Sequence, residues 1–379
     1  MGAESVPVPH GAPLAAEDVV GRQTALETIE RRLRLGSSVM VPGPRRTGKT
    51  IAAEEILRRL SVGQPRVLTA RVDLFSCSTA EEFAVKLTTA VLAERHRAFG
   101  TMALSAVGRV REVLERIDVR LRVQDLEVGL GFLSPERTVS EWLDEALALP
   151  ERLAAAEGCR IVVLIDEFQE VERLGGERLT QRMRAHWQRQ KLAAYLLLGS
   201  YPTVMSRLFA DRHAALYRYA DAVPVRPPEP EAWAAYLSGK FMAAGLEIAP
   251  AALDLLLEAT GGHPDDTVRA ANEAFSLARA LGRGAVDLDT VHRAVDRTAE
   301  WLAPGFYAQL SEADRSGVSR DVLRDLAHGR RPYAGGRDPS TVRRTLERLV
   351  ARALVEKEGR GQYRFVEPLF ARYVRRALG

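Results

Sequence analysis

Residues 36–50 read GSSVMVPGPRRTGKT, and no other stretch of the chain restricts the fold as much. Val39, Met40 and Val41 form an apolar run suited to a buried strand. Residues 43–50 then place glycine at 43 and 48, lysine at 49 and threonine at 50, the P-loop spacing G-x-x-x-x-G-K-S/T. Glycines let the backbone turn its N–H groups inward toward phosphate oxygens. A helix that begins near Gly48 adds the positive end of its dipole. Lys49 can then reach the β- and γ-phosphates of a nucleoside triphosphate, and the Thr50 hydroxyl can ligate Mg²⁺. Pro44, Arg45, Arg46, Thr47 and Ile51 complete the expected loop and helix start.

The pattern that follows alternates strand and helix. A helix is expected over 49–60, a strand over 66–74 and a helix over 79–97. Residues 107–117 read as helical, and the alternation within 118–132 reads as a small inserted hairpin. A periodic helix over 139–157 leads to CRIVVLI at 159–165, the most strand-like run in the chain. Further helices (177–191, 203–207) and strands (194–198, 222–225) complete a doubly wound α/β unit.

The strand at 161–165 ends in Asp166 and Glu167, four or more apolar residues followed by two carboxylates, as in a Walker B strand. Asp166 is thereby placed to hold Mg²⁺ through water, and Glu167 to orient or deprotonate an attacking water. Ser200, after the strand at 194–198, either senses the γ-phosphate or is an ordinary residue at a strand end. Arg212 and Arg218 are candidates for an arginine finger acting on a neighbouring subunit, or are solvated surface charges.

RPPEP at 226–230 marks a boundary, beyond which the pattern turns helical over 231–244, 250–259, 264–281 and 288–298. In TGGHP, Gly261 and Gly262 end one helix and Pro264 opens the next. From about residue 304 helices at 318–327 and 339–351, short strands at 354–357 and 362–365, and a closing helix at 367–378 outline a winged helix-turn-helix. Residues 330–379 hold 13 Lys/Arg against 5 Asp/Glu, a balance of +8; the whole chain carries +4, so the remainder carries −4. Such a basic block points to a nucleic-acid surface. Thr341, Arg343, Arg344 and Arg348 lie opposite the apolar face of the 339–351 helix, and Arg360 lies in the wing turn, positions from which phosphates or guanine edges could be met.

No run of about 18 apolar residues is present, so no membrane span is expected. Two cysteines, Cys77 and Cys159, suggest a reduced compartment rather than a disulfide framework, and the N-terminus lacks a secretory pattern, which makes a cytoplasmic location the expectation. Residues 1–17 read as a flexible arm. The core is expected over 18–227 with an insertion at 100–137, the helical lid over 228–302 and the winged helix over 303–379.

Taken in order, GPRRTGKT, LIDEFQE, LLLGSY, LYRYADAVPVRPPEP and TGGHP resemble the archaeal-type ATPases of the STAND group of P-loop NTPases, which are related to AAA+ proteins. VVGRQTAL at 19–26 is similar to that family's opening motif. The resemblance implies an ATP/ADP and Mg²⁺ site in which Gly43, Gly48, Lys49 and Thr50 bind phosphate and metal. Asp166 and Glu167 would be the metal and catalytic acids, and Ser200 the first sensor. Val20, Gly21 and Pro264 would lie near the base. Asp265 and Asp266 stand where AAA+ initiators carry a second sensor arginine, with Arg269 one turn on. Three readings follow. One is an ATP-hydrolysing switch coupled to double-stranded DNA through the winged helix. Another is a nucleotide switch with little turnover whose winged helix holds a protein partner, with assembly into a homo-oligomer also open. The third is a replication-initiator-like ATPase.

Overall fold

The computed structural model describes residues 7–11, 14–99, 122–123, 126–127, 139–313, 317–333, 336–359 and 361–379. The helix expected at 107–117, and Arg360, lie outside the described residues. Of the inserted hairpin, β3 (Arg122–Val123) and β4 (Leu126–Glu127) are described and pair antiparallel.

Five parallel strands make the central sheet: β1 (Val39–Pro42), β2 (Val67–Asp73), β5 (Arg160–Asp166), β6 (Ala193–Gly199) and β7 (Asp221–Ala222), in the order β2-β5-β6-β1-β7. All seven residues of β6 are buried, as are six of the seven in β5, because helices cover both faces. On one face Leu26, Ile29, Ile56 and Leu60 meet Val41, Leu164 and Leu196. On the other Phe83, Leu87, Leu147 and Trp187 meet Val163, Ile165 and Tyr195. The last strand is shorter than the 222–225 run suggests. Val223 N still donates to Met40 O at 2.9 Å, but pairing with β1 is confined to residues 221 and 222.

Register decides what the sheet presents. Pro42 lies beside Gly199, and Asp166 beside Asp73. The C-terminal ends of β1, β6 and β5 therefore open on one edge, with β6 between the phosphate loop and the Asp166–Glu167 pair.

Beyond Pro228 the chain is helical: Pro230–Ala243, Pro250–Thr260, Pro264–Ala280 and Leu288–Ala313. Two-residue strands β8 (Glu247–Ile248) and β9 (Ala285–Val286) pair in parallel between them. The last of these helices does not stop near Thr298. It continues through Pro304 to Ala313, so residue 303 lies inside a helix. Proline removes one backbone donor there, while Thr298 and Ala299 before it and Phe306 and Leu310 after it stay buried and hold the helix together. Helices Val318–Ala327 and Pro339–Ala351, the antiparallel strands β10 (Val355–Gly359) and β11 (Gln362–Phe365), and helix Pro368–Leu378 follow. One apolar cluster runs through both regions, from Val8 and Trp233 through Leu256, Phe306 and Leu346 to Phe370. The helices of residues 230–313 and the C-terminal elements thus share a core.

Residues 7–11 and 14–18 pack on this body, unlike the free arm expected from their Pro, Ala and Gly content. Val8 is buried, its N–H donates to Asn272 Oδ1 at 3.1 Å, and Asn272 Nδ2 donates to Val8 O at 2.8 Å. Asp18 accepts from Tyr236 Oη at 2.8 Å and pairs with Lys240 Nζ at 2.5 Å. No helix among the described residues is long and apolar enough to cross a membrane.

Candidate nucleotide site

The loop after β1 closes on itself. Gly43 N–H donates to Gly199 O at 3.1 Å, tying the loop to β6. Thr47 Oγ1 and Lys49 Nζ both donate to Pro44 O, at 2.9 and 2.5 Å. Gly48 caps the helix Lys49–Val62 with φ of 77°, a left-handed conformation that favours glycine. The helix N-terminus then faces the opening at the sheet edge, where anions are stabilised. Burial pulls the Lys49 ammonium down to about 8, against the pull of Glu167 and Asp166 in the other direction.

Arg22, which also lines the cavity, braces this loop. Its guanidinium donates to Thr47 O at 2.6 Å and to Gly48 O at 3.0 Å, and burial pulls its pKa down to about 10. A Cβ on Gly48 would stand 2.4 Å from Arg22 Nη1 and would displace this brace. Arg22 was part of the VVGRQTAL run, but nothing local marked its target.

Thr50 Oγ1 donates to Asp166 Oδ2 at 3.1 Å, joining the phosphate loop to the end of β5. Burial raises the Asp166 carboxyl pKa. Arg71 Nη2 lies 3.4 Å from the same oxygen and also pairs with Glu54. A hydroxyl and a carboxylate, hard oxygen donors next to a phosphate loop, fit Mg²⁺. Glu167 takes a left-handed φ of 49°, and its Oε1 accepts from Ser200 Oγ at 2.9 Å. Gln169 donates to its other oxygen.

These groups border a cavity of about 370 Å³. Arg22, Arg45, Arg46, Gly48, Lys49 and Thr50 line one end, with Glu167 and Ser200 beside them. Ile51, Val19, Val20, Trp233, Pro264 and Val268 add apolar lining suited to a flat base, alongside Asp18, Tyr236 and Asp265. Pro9, His10, Gly11 and Leu14 complete that wall, and His10 Nε2 sits 2.9 Å from Asp265 Oδ1. Asp166 stands behind Thr50 and outside the lining. Gly43, Pro44 and Thr47 form the loop without lining the cavity. Gly21 does not line it either. A Cβ there would lie 2.9 Å from Pro228 Cβ, so this glycine serves close packing of the opening segment on the lid.

Other expected site residues lie elsewhere. Arg218 is exposed, its guanidinium 5.2 Å from the Tyr217 ring centroid, and it does not line the cavity. Arg212 is exposed too. Arg269 donates to Asp265 at 2.9 Å and does not line the cavity. His263 is buried in the turn between two helices, with Nδ1 3.6 Å from Asp266 Oδ1, an ion-pair separation too long for a hydrogen bond.

Arg46 joins the cavity to the far end of the chain. It lines the cavity, and its Nη1 lies 3.2 Å from Glu367 Oε2, one residue before the closing helix. Gln309 and Asp266 lie on the same junction: Gln309 Nε2 is 3.5 Å from Glu367 Oε1, and Asp266 Oδ2 accepts from Leu369 N at 3.3 Å.

In the C-terminal unit Thr341 is half-buried, and Arg343 and Arg344 are exposed on the 339–351 helix. Arg348 is not on that outer face. Its Nη2 donates to Ser319 Oγ at 2.6 Å, because its position faces the neighbouring helix. The basic excess is partly spent within the fold: Arg337 pairs with Asp325, Arg364 with Glu356 and Glu358, and Arg372 and Arg376 with Asp296.

No family model and no curated protein matches this chain. Solved structures do. A Walker-type ATPase of Pyrococcus abyssi is 19% identical with a TM-score of 0.71, covering 97% of this chain and 99% of that one. The Aeropyrum pernix ORC2 protein in ADPNP–ADP complexes is 16% identical with a TM-score of 0.56, covering 94% and 91%. The Aeropyrum pernix ORC1 protein in complex with DNA is 16% identical with a TM-score of 0.53, covering 98% and 95%. The shared feature is the fold, which in this chain is a five-stranded parallel sheet between helices in the P-loop NTPase arrangement.

Proposed function

We propose that this chain is an ATP-binding and ATP-hydrolysing switch of the archaeal STAND kind, whose phosphate loop is coupled to a winged-helix unit that binds double-stranded DNA. The carrying observation is Arg46, which lines the cavity and pairs with Glu367 at 3.2 Å. A triphosphate in the loop competes with Glu367 for this guanidinium, so the phosphate charge bears directly on the start of the closing helix. A second link supports the coupling: helix Pro339–Ala351 touches helix Pro202–Ala210, which starts two residues after Ser200.

In this reading Lys49 and the loop N–H groups hold the β- and γ-phosphates, and Thr50 and Asp166 hold Mg²⁺. The metal, when bound, neutralises charge on the phosphate oxygens. Glu167 takes the proton of the water that attacks the γ-phosphorus, while the bond to the β–γ bridging oxygen breaks and ADP leaves. Ser200, bonded to Glu167, reports the γ-phosphate to that carboxylate. Arg218, exposed and away from its own cavity, is offered as the finger for a neighbouring copy. The base is assigned to the apolar part of the cavity lining, and the Aeropyrum ORC2 complexes with ADPNP and ADP support an adenine nucleotide as the ligand.

Thr341, Arg343 and Arg344 are the proposed DNA-reading face, with Lys357 exposed on the hairpin; that the Aeropyrum ORC1 protein was solved in complex with DNA supports DNA as the ligand class. The self-paired charges of Arg364, Glu356 and Glu358 favour the second reading, in which this unit holds a protein partner. An ATPase assay of wild type, Lys49→Ala and Glu167→Gln tests the chemistry, and equal turnover in all three refutes it. Titration of labelled duplex DNA at two salt concentrations separates the two readings. DNA binding predicts salt-dependent affinity and a slope lowered by about two in Arg343→Ala/Arg344→Ala. Absent or salt-independent binding favours the protein partner.

A further inference from the structure

The turn after β5 brings three side chains together. Glu167 adopts φ of 49°, a region sparsely used by residues with a side chain. The chain passes at once into the short helix Phe168–Glu170, and Glu167 and Gln169 meet at the end of β6. Ser200 Oγ donates to Glu167 Oε1 at 2.9 Å, and Gln169 Nε2 donates to Glu167 Oε2. The same amide accepts, through Oε1, from the Ser200 backbone N–H at 2.9 Å. A backbone N–H can only donate, so the amide is fixed with its oxygen on Ser200 and its nitrogen on Glu167. Gln169 is 5% exposed and does not line the cavity.

We propose that Gln169 is a positioning residue for Glu167, clamping its carboxylate to the end of β6 in the geometry that meets the attacking water. This rests on reading Glu167 as the base. A glutamate held at one oxygen can still swing about that contact. A second hydrogen bond at the other oxygen removes the swing, and Gln169 supplies it from a group that is itself anchored to the sheet. Displacing a reacting group by about 1 Å costs on the order of 10²-fold in rate. Because Gln169 is away from the cavity wall, it acts through Glu167 and leaves nucleotide binding alone.

Gln169→Glu keeps the side chain's size and its acceptor for Ser200 N–H, and turns an oxygen toward Glu167 in place of the donor. The expected kcat for ATP falls about 10- to 100-fold. KM, and the Kd of a fluorescent ATP analogue, stay within about twofold. Gln169→Ala moves the same way, which keeps the inference testable should the glutamate variant fail to fold. In a Glu167→Gln background either substitution changes the residual rate by less than about twofold, since the effect passes through Glu167. Full turnover in both Gln169 variants, with Glu167→Gln inactive, overturns the positioning role and spares the reading of Glu167. Full turnover in Glu167→Gln removes that reading and this role with it. A drop in kcat matched by weaker nucleotide binding, or by a further loss in the Glu167→Gln background, assigns Gln169 a structural role and overturns the proposal.

Discussion

Replacing Arg22 by methionine separates what the phosphate loop needs from what the fold needs. Arg22 is 7% exposed, donates to Thr47 O and Gly48 O, and leaves its Nε unpartnered. Burial moves its pKa from 12.5 to about 10, and at about 1.4 kcal/mol per unit, holding the cation there costs roughly 3 kcal/mol. Against this stand two charge-assisted hydrogen bonds, each contributing about 1.5–3 kcal/mol. The net contribution to global stability is therefore about 0–3 kcal/mol, and methionine retains much of the packing of the stem. The loop fares differently. Without the brace, Thr47 and Gly48 must be ordered when phosphate binds, and ordering even two residues costs about 2 kcal/mol or more, about thirtyfold in affinity. Titration with a fluorescent ATP analogue, alongside urea unfolding, measures both. We expect the Kd to rise about thirtyfold with a stability loss of no more than about 3 kcal/mol. An unchanged Kd, or loss of the folded state, refutes the reasoning.

Two further outcomes follow from the junction at Glu367. Glu367→Gln frees Arg46 for phosphate; because Arg46 is 44% exposed the pair is screened, so ATP affinity should rise only about two- to fivefold in the same titration, and weaker binding would contradict the competition. His263 carries a pH dependence: burial lowers its pKa, but Asp266 first, then Glu367 and Asp265, raise it above the usual 6.5. A raised folded-state pKa gives stability that is present below pH 6.5 and lost as pH rises through the folded-state value; urea unfolding of wild type should show this decline, and His263→Gln should lack it.

Much of the sheet was legible because of what buries it. β5 and β6 are covered on both faces, so their residues read as unbroken apolar runs. Proline stands at the first turn of the helices Pro202–Ala210, Pro230–Ala243, Pro250–Thr260, Pro264–Ala280, Pro339–Ala351 and Pro368–Leu378, where a missing N–H has no consequence, and most of their starts could be read to within a residue or two. The same logic misled at Pro304, where packing on both sides carried the helix past a residue that locally reads as a break. The phosphate loop and the Asp166–Glu167 pair were readable because their chemistry fixes residue spacing. The groups that brace them were not, since their partners are set by tertiary packing: Arg22 reaches Gly48, and Arg46 reaches Glu367 across 321 positions. Val8 is anchored by Asn272, which no composition rule for an N-terminal arm could convey. Arg348 looked free because a helical wheel does not reveal that Ser319 lies beside it.

In the proposed switch the phosphate loop and the closing helix read each other through Arg46 and Glu367. Amide hydrogen exchange of residues 368–378, with and without ATP and Mg²⁺, in Glu167→Gln and in Glu167→Gln/Arg46→Ala tests it most directly. Nucleotide is expected to change protection in those residues in the first protein and to leave it unchanged in the second, with both binding nucleotide. Identical protection with and without bound nucleotide in Glu167→Gln would contradict it.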